Sequence, residues 1–513
     1  MFIYSTFAFC IGGIYFSKSK RGVENCICKN FIFFIMKNSR RNFLRMTGLA
    51  GLTLAASNMK SVADEIRSRN FADMPQRNKH LQKSHVQHMN MSGFAAPKLE
   101  TVRIGHIGLG QRGPRHVDTM KRIERVEIKA LCDLRPEKAE AVKKSLENSS
   151  HKPEIYSGGA NEWKKLCERN DIDLVYITTP WYMHAEMAIY AMEHGKHVAT
   201  EVPAAGSLEE CWKLVETAER TGRHCMMMEN YVYGIFEMVT LNMARKGFFG
   251  ELVHGDCAYI DSKMENNFNT NGYWDMWWLK IYANRKGNFY PTHGLGHICQ
   301  LMDINCGDRL DYLVSLESND FMMAAKSKEL AEKNDLFKPF VGKDYRGNMN
   351  TTLIKTVKGR SIMLQHDGTS PRRHNCINGI YGTKGSSLQF PDPPRISGEN
   401  GAWFSQRESN SLIEKYTPQI YKQVGEFTKS SGHGGGDLME DWHLIDCLHN
   451  GLPLDQNVYD AATWSSIIPL SEWSVNNRSG AIEIPDFTAG AWKKNRPNMD
   501  IELTNGGGNT KIF

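Results

Sequence analysis

Four stretches of this 513-residue sequence carry residue types that do chemistry. "IGHIGLGQRGPRH" sets Gly108, Gly110 and Gly113 in GxGxxG spacing between an apolar run and a helix-forming one. Glycines there let backbone amides approach a pyrophosphate, and the helix N-terminus that follows favours its charge. "VEIKALCD" ends in Asp133, 25 residues after Gly108. That is about the separation at which a carboxylate reaches an adenosine ribose, although Asp133 could equally cap the helix of "RPEKAEAVKK". "GKHVATEVP" delivers Glu201 at the carboxyl end of an apolar strand, directly before Val202 and Pro203. "NFYPTHGLGH" places Tyr290, Pro291, Thr292 and His293 together. A histidine titrates near neutrality, so His293 is a candidate general acid/base, with a hydrogen-bonded structural histidine as the alternative. His293 and His297 are four apart, but the glycines between them disfavour a helix and no third ligand is evident, so no metal is expected.

These residues need elements to hold them. After the glycine loop and Asp133, the chain alternates helices ("ANEWKKLCER", "HAEMAIYAMEHG", "SLEECWKLVETAERTG") with strands ("DLVYITTP", "KHVATEVP", "HCMMMEN"). Such alternation predicts parallel βαβ units in a doubly wound Rossmann sheet. Ligands of these sheets bind beyond the carboxyl ends of the strands, here the glycine loop, Asp133, "TPWYMH", "EVP" and "ENY". Past Tyr231 the texture changes. "ELVHGDCAYID", "LDYLVSLES", "MNTTLIKTVKG" and "SIMLQHDG" predict a large open, mainly antiparallel sheet, and "MEDWHLIDCLHNG" and "DAATWSSIIPLSEWSV" predict helices. The expected architecture is α/β throughout: a leader at 1–60, a polar linker at 61–98, an NAD-binding Rossmann domain at 99–232, a C-terminal α/β substrate domain at 233–495 and a tail at 496–513. In the second domain "YWDMWW" offers the flat faces of Trp274, Trp277 and Trp278 to sugar C–H surfaces or to one another.

The succession from GxGxxG through "ITTPWYMHAEMAIYAMEHGKHVATEVP" resembles the Gfo/Idh/MocA oxidoreductase superfamily over roughly residues 100–490. Those dehydrogenases usually read Glu-Lys-Pro, and here Val202 stands in the lysine's place, a residue that cannot transfer a proton. "WYMH", "EVPAA", "MMMENY", "GNFYPTHGLG", "HDGTSP", "YGTKG" and "LHNGLPLDQNVYDAA" are together similar to glycoside hydrolase family 109, the NAD-dependent α-N-acetylgalactosaminidases. That resemblance implies a retaining hydrolysis in which NAD transiently oxidises sugar C3, a base removes the C2 proton, the C1 group leaves, water adds and hydride returns. It puts Gln111 and Arg112 in the glycine loop, Asp133 at the ribose, Trp181, Tyr182, Met183, His184 and Asn230 along the cofactor, and Glu201 with Val202 at the nicotinamide end. It matches Tyr259 and Tyr290, Pro291, Thr292 and His293 to substrate-contacting positions, with Tyr290 also near NAD, and makes His293, with Tyr259, catalytic. Two positions depart from the pattern: Trp278 stands where an arginine is expected to hold substrate, and His374 where a tyrosine is expected. One indole N–H in place of five guanidinium donors changes which substituents can be held. A net NAD(P)-dependent sugar or cyclitol dehydrogenase and a sugar-binding protein without turnover are the competing readings.

The formal charge of +6 is concentrated in the first 60 residues, where nine Lys or Arg stand against Glu24 alone. The remainder has no excess of positive charge for a polyanion, so nucleic acid is not an expected partner. "NSRRNFLRMTGLAGLTLAAS" resembles a twin-arginine export signal, with Arg40 and Arg41 before a modestly apolar run, and Met36 just upstream as an alternative start. It implies the export machinery as a partner, cleavage near residues 56–62 and a periplasmic protein acting on glycans. Of twelve cysteines, those past the leader show no CxxC or zinc-ribbon spacing and read mostly as small buried hydrophobes. A homo-oligomer paired through a sheet face is compatible with the superfamily resemblance.

Overall fold

The computed structural model describes residues 85–513 apart from 391, 392 and 430. The expected leader and the first part of the expected linker lie outside the described residues. Six strands, β1 (Val102–Ile107), β2 (Val126–Asp133), β3 (Glu154–Ser157), β4 (Leu174–Ile177), β5 (His197–Glu201) and β6 (Cys225–Met228), form a wholly parallel sheet in the order 3-2-1-4-5-6. Its helices are α1 (Gly113–Met120), α2 (Pro136–Ser145), α3 (Glu162–Cys167), α4 (His184–Glu193) and α5 (Leu208–Thr221). Helices on both faces leave no solvent side, which is why β4, β5 and β6 are buried at every position instead of alternating. β3, an edge strand of four residues, is too short to give a periodic signal.

The second sheet has eight strands: β7 (Leu252–Ile260), β8 (Leu310–Glu317), β9 (Met349–Thr356), β10 (Ser361–Asp367), β11 (Asn378–Gly382), β12 (Ser386–Gln389), β13 (Arg395–Ser397) and β14 (Ile482–Glu483), in the order 13-12-11-7-10-9-8-14. All neighbours are antiparallel except β7 with β10. β9 and β10 alternate buried with partly exposed residues, as one-sided sheets do. The second domain's helices are α6 (Ile235–Arg245), α7 (Met264–Asn267), α8 (Trp277–Tyr282), α9 (Thr292–Leu301), α10 (Met323–Lys333), α11 (Gln406–Tyr416), α12 (Gln419–Thr428), α13 (Gly436–Asn450) and α14 (Val458–Asn476). The first fourteen residues of both α13 and α14 are buried on all sides. Polar residues on such helices must find partners inside the protein.

α9 corrects one expectation: Gly294 and Gly296 do not prevent a helix through His293 and His297. A Cβ at Gly294 would lie 2.7 Å from the Ala258 backbone nitrogen, and one at Gly296 3.0 Å from both Glu229 Cγ and Trp464 Cζ3. The glycines let the helix lie directly on β7, and that packing outweighs their low propensity. Gly294→Ala is expected to destabilise by about 1–3 kcal/mol through overpacking, read as a lower urea midpoint.

The described part of the expected linker is seated on the fold. Met91 and Ala96 are buried, Gln87 Nε2 donates to Tyr459 Oη at 2.7 Å, and the His88 N–H donates to Glu219 Oε2 at 2.9 Å. The tail is also bound: Thr510 O accepts the Trp442 indole N–H at 2.9 Å, and Ile512 bridges to Ile123. These partners lie up to hundreds of residues away, so composition alone gives a polar linker and a tail without their contacts. Among the described residues all nine cysteines are free, and no helix is long and apolar enough to cross a membrane.

Candidate active site

The carboxyl ends of the parallel strands converge on the glycine loop. Gly108 has φ 90°, and a Cβ there would lie 2.8 Å from the Thr178 carbonyl carbon. One at Gly113 would lie 2.1 Å from Gly108 O. Only glycine fits this turn. Gly110 and Gln111 are exposed at its rim. Asp133 accepts from the Leu109 N–H at 2.7 Å and the Arg135 N–H at 2.9 Å. It therefore ties the loop to the end of β2 and does not cap α2, whose preceding residue is Arg135.

Arg112 joins the glycine loop to two other elements. Its Nε donates to Glu201 Oε1 at 2.5 Å, and its Nη1 and Nη2 donate to the two Asp437 oxygens at 3.0 and 3.2 Å. His116, one turn further along α1, has Nε2 3.1 Å from Glu201 Oε1 and Nδ1 3.0 Å from Asp441 Oδ2. Tyr176 Oη donates to Asp441 Oδ1 at 2.8 Å, and Asn230 Nδ2 to Asp437 Oδ1 at 2.6 Å. Burial opposes ionisation of Glu201, but Arg112 and His116 outweigh it and hold the carboxyl well below its ordinary range. Burial likewise opposes charge on His116, but Asp441 and Glu201 outweigh it and push the imidazole up to about 9 from 6.5. The stability that His116 confers is thus fully present below the unfolded value and lost as pH rises through about 9. Urea unfolding across that range is expected to show this loss in the native protein and not in His116→Gln.

The neighbouring positions are more interior. Val202 is 2% exposed and its N–H faces Glu201 Oε2 at 3.2 Å. His184 is buried, with its ring nitrogens 2.8 Å from Pro203 O and from Thr179 O. It fixes the turns after β4 and β5 from behind. Trp181, Tyr182 and Met183 form a partly buried 3₁₀ turn after β4, and the Trp181 ring stacks on Tyr290 at 4.7 Å and 18°.

The facing wall comes from β7, α8 and the start of α9. His293 Nδ1 lies 2.7 Å from Glu229 Oε1, and Nε2 lies 2.8 Å from Tyr290 Oη. With the Glu229 carboxylate accepting from Nδ1–H, Nε2 is the basic nitrogen. Burial pushes the Tyr290 phenol well above its ordinary value, so Tyr290 donates. Tyr259 meets Tyr290 edge-on at 4.7 Å and lies 5.2 Å from the His293 ring. Pro291 and Thr292 are buried at the N-terminus of α9, with the Thr292 hydroxyl lacking a partner. Trp278 is 4% exposed, stacked on Tyr273 at 5.3 Å and 4.7 Å from Trp181, and so forms the inner layer of an aromatic wall. His374 is the more open of the two departures: its Nε2 lies 3.0 Å from Tyr231 Oη and its Nδ1 3.7 Å from Asp261 Oδ2. His297 contacts Thr240 Oγ1 at 3.2 Å instead of joining the His293 chain, and burial lowers it to about 3.

Sequence reasoning did not find Glu229, His116, Tyr176, Asp437 or Asp441 as members of this site. Glu229 sits inside the quoted "MMMENY", and its place beside the strand-end Asn230 was the available signal. Asp437 and Asp441 lie on a helix that packs on α1 only in three dimensions. For a dinucleotide the donor set fits: a glycine turn that a Cβ would fill, a carboxylate at the end of β2, and the buried, unpartnered Asn230 Oδ1 after β6.

A parallel 3-2-1-4-5-6 sheet with a glycine turn, together with an open mixed sheet and the Glu229–His293–Tyr290 chain that joins the end of β6 to the start of α9, defines a Rossmann-type enzyme of the oxidoreductase architecture. Residues 102–229 match the oxidoreductase family NAD-binding Rossmann fold, and residues 233–494 match the glycosyl hydrolase 109 C-terminal domain. The chain is 42% identical over 473 residues to a glycosyl hydrolase family 109 protein of Shewanella baltica strain OS155, covering 89% of this chain and 98% of that one. It is 41% identical over 472 residues to an alpha-N-acetylgalactosaminidase of Shewanella oneidensis strain MR-1, with coverage of 89% and 98%. The chain belongs to glycosyl hydrolase family 109, and it is a glycoside hydrolase with an NAD-binding oxidoreductase-type domain. Among solved structures, an oxidoreductase domain protein from Kribbella flavida has the same fold with a TM-score of 0.56 at 17% identity, covering 76% of this chain and all (100%) of that one. An inositol dehydrogenase homolog from Azotobacter vinelandii, complexed with NADH and myo-inositol, has a TM-score of 0.55 at 15% identity, covering 77% and 100%.

Proposed function

We propose that this protein is a retaining, NAD-dependent glycosidase that releases terminal α-linked N-acetylgalactosamine. The observation that carries the reading is the Glu229–His293–Tyr290 chain opposite a strand end that has Val202 in place of a proton-transferring lysine. Gly108, Gly110, Gln111 and Gly113 would admit the pyrophosphate, Asp133 the ribose, and Asn230 with Trp181 and Tyr290 the nicotinamide half. When bound, NAD would supply reversible acceptance of hydride from sugar C3, the C3 hydroxyl proton passing to solvent and returning with the hydride. That acidifies the C2 proton, and the proton is the chain's own task. His293 Nε2 takes it, with Glu229 holding Nδ1–H and stabilising the imidazolium, and later returns it. Between those two transfers the C1 group leaves and takes a proton from solvent, and water adds at C1 and gives a proton up. Tyr259 and Tyr290 pack against the sugar ring, with Trp278 behind them as the inner layer of the wall. His374, backed by Asp261 and Tyr231, meets its polar substituents.

This chemistry differs from hydrolysis by two flanking carboxylates, and the difference is measurable. Incubation of the purified protein with aryl α-N-acetylgalactosaminides, without added nicotinamide, is expected to release aglycone with no accumulation of NADH and with deuterium from solvent entering C2. Stoichiometric NADH instead would establish a net dehydrogenase. The twin-arginine leader supports export of the folded enzyme to the periplasm. Replacing both Arg40 and Arg41 by Lys is expected to retain it in the cytoplasm.

A further inference from the structure

The other concentration of reactive side chains lies on α13, away from the relay. His443 and Cys447 are one helical turn apart, and the chain after the left-handed Gly451 (φ 64°) folds back to bring Asp455 beside them. His443 Nδ1 is 2.5 Å from Asp455 Oδ2, which also accepts from Tyr233 Oη at 2.7 Å. One donor atom from each of His443, Cys447 and Asp455 lies within 4.8 Å of the other two. The residues are 2%, 3% and 5% exposed, and Asp455 Oδ1 is buried with no partner. All three line a small pocket together with Asn498, Asp500 and Asn505.

We propose that His443, Cys447 and Asp455 form a metal site that takes zinc. A thiolate, an imidazole and a carboxylate are the borderline-soft donor set that zinc accepts, whereas magnesium and calcium require oxygen donors throughout. The convergence of three protein donors leaves one tetrahedral position toward the pocket, for water or an oxygen of the Asn498–Asp500 segment. The unpartnered Asp455 Oδ1 is a lone pair already desolvated, and the i, i+4 spacing on a buried helix fixes two donors before the ion arrives. Binding displaces the Cys447 thiol proton and any proton held between His443 and Asp455, both released to solvent. The ion would staple α13 to the 451–457 turn and to the tail at 496–513.

The test uses the full chain, treated with a chelator and then titrated with cobalt(II). One equivalent is expected to give the intense visible bands of a four-coordinate ion and a thiolate-to-cobalt charge-transfer band in the near ultraviolet. One equivalent of zinc should then remove both. Cys447→Ser is expected to lose the charge-transfer band, and His443→Gln to weaken zinc binding by at least the roughly 10–100-fold that loss of a group merely supporting a ligand costs, with the NAD content of both variants unchanged. Cys167→Ser, on α3 of the parallel-sheet domain, should leave the band intact. Absence of the band in the native protein at excess cobalt, or its survival in Cys447→Ser, would overturn the proposal. Zinc should also raise the melting temperature of the native protein and not of Cys447→Ser.

Discussion

His293→Ala is expected to lower kcat by about 10²–10⁴-fold, the range over which a positioned acid/base acts, while NAD content stays near that of the native protein and the urea midpoint falls, because the buried Glu229 carboxylate loses its partner. The separation follows from geometry. The His293 ring contacts Glu229, Tyr290, Tyr231 and Tyr259, and none of the glycine loop, Asp133 or the Arg112 cluster depends on it. Glu229→Gln is the companion. It keeps the shape but removes the charge that stabilises an imidazolium, so kcat falls less than in His293→Ala and its pH profile shifts. Single-turnover aglycone release and quantitation of NAD after denaturation measure both. Loss of NAD in His293→Ala would show that the histidine holds the cofactor site together and is not the proton-transfer group.

The second large effect is expected at Arg112. Arg112→Ala leaves Glu201 and Asp437 facing one another across a desolvated gap, and removal of one partner from a buried pair costs about 3–5 kcal/mol. The Arg112 side chain is 25% exposed, which places the expected loss near the lower end, read by urea unfolding. Arg112→Ala combined with Asp437→Asn is expected to recover part of it, because the second substitution removes the charge that the first leaves with only Asn230 and His433 as partners. A loss no larger than that of an exposed arginine would refute the hub. Cofactor content should fall with stability, since the same guanidinium sets the glycine loop against β5.

The parts of this protein written locally in the sequence were legible there. GxGxxG, the apolar strands and the helix starts each depend on neighbours a few residues away, so the parallel sheet, its ligand edge and the placement of Asp133 and Glu201 could be read in order. His293 was legible because tyrosine, proline and histidine occur within four positions. The tertiary structure decided what those groups face. Arg112 meets Asp437 across 325 residues, and Glu229 meets His293 across 64. Such separations leave no spacing to detect, because the chain between the partners can have any length that lets the ends meet. The same reason explains α9. Its glycines argue against a helix when only propensity is counted, and they are required once β7 lies 2.7 Å from where a side chain would begin. The residue types and the order of the strand ends fixed the chemistry available to this chain, and long-range packing chose which carboxylate orients the histidine and which clamps the arginine.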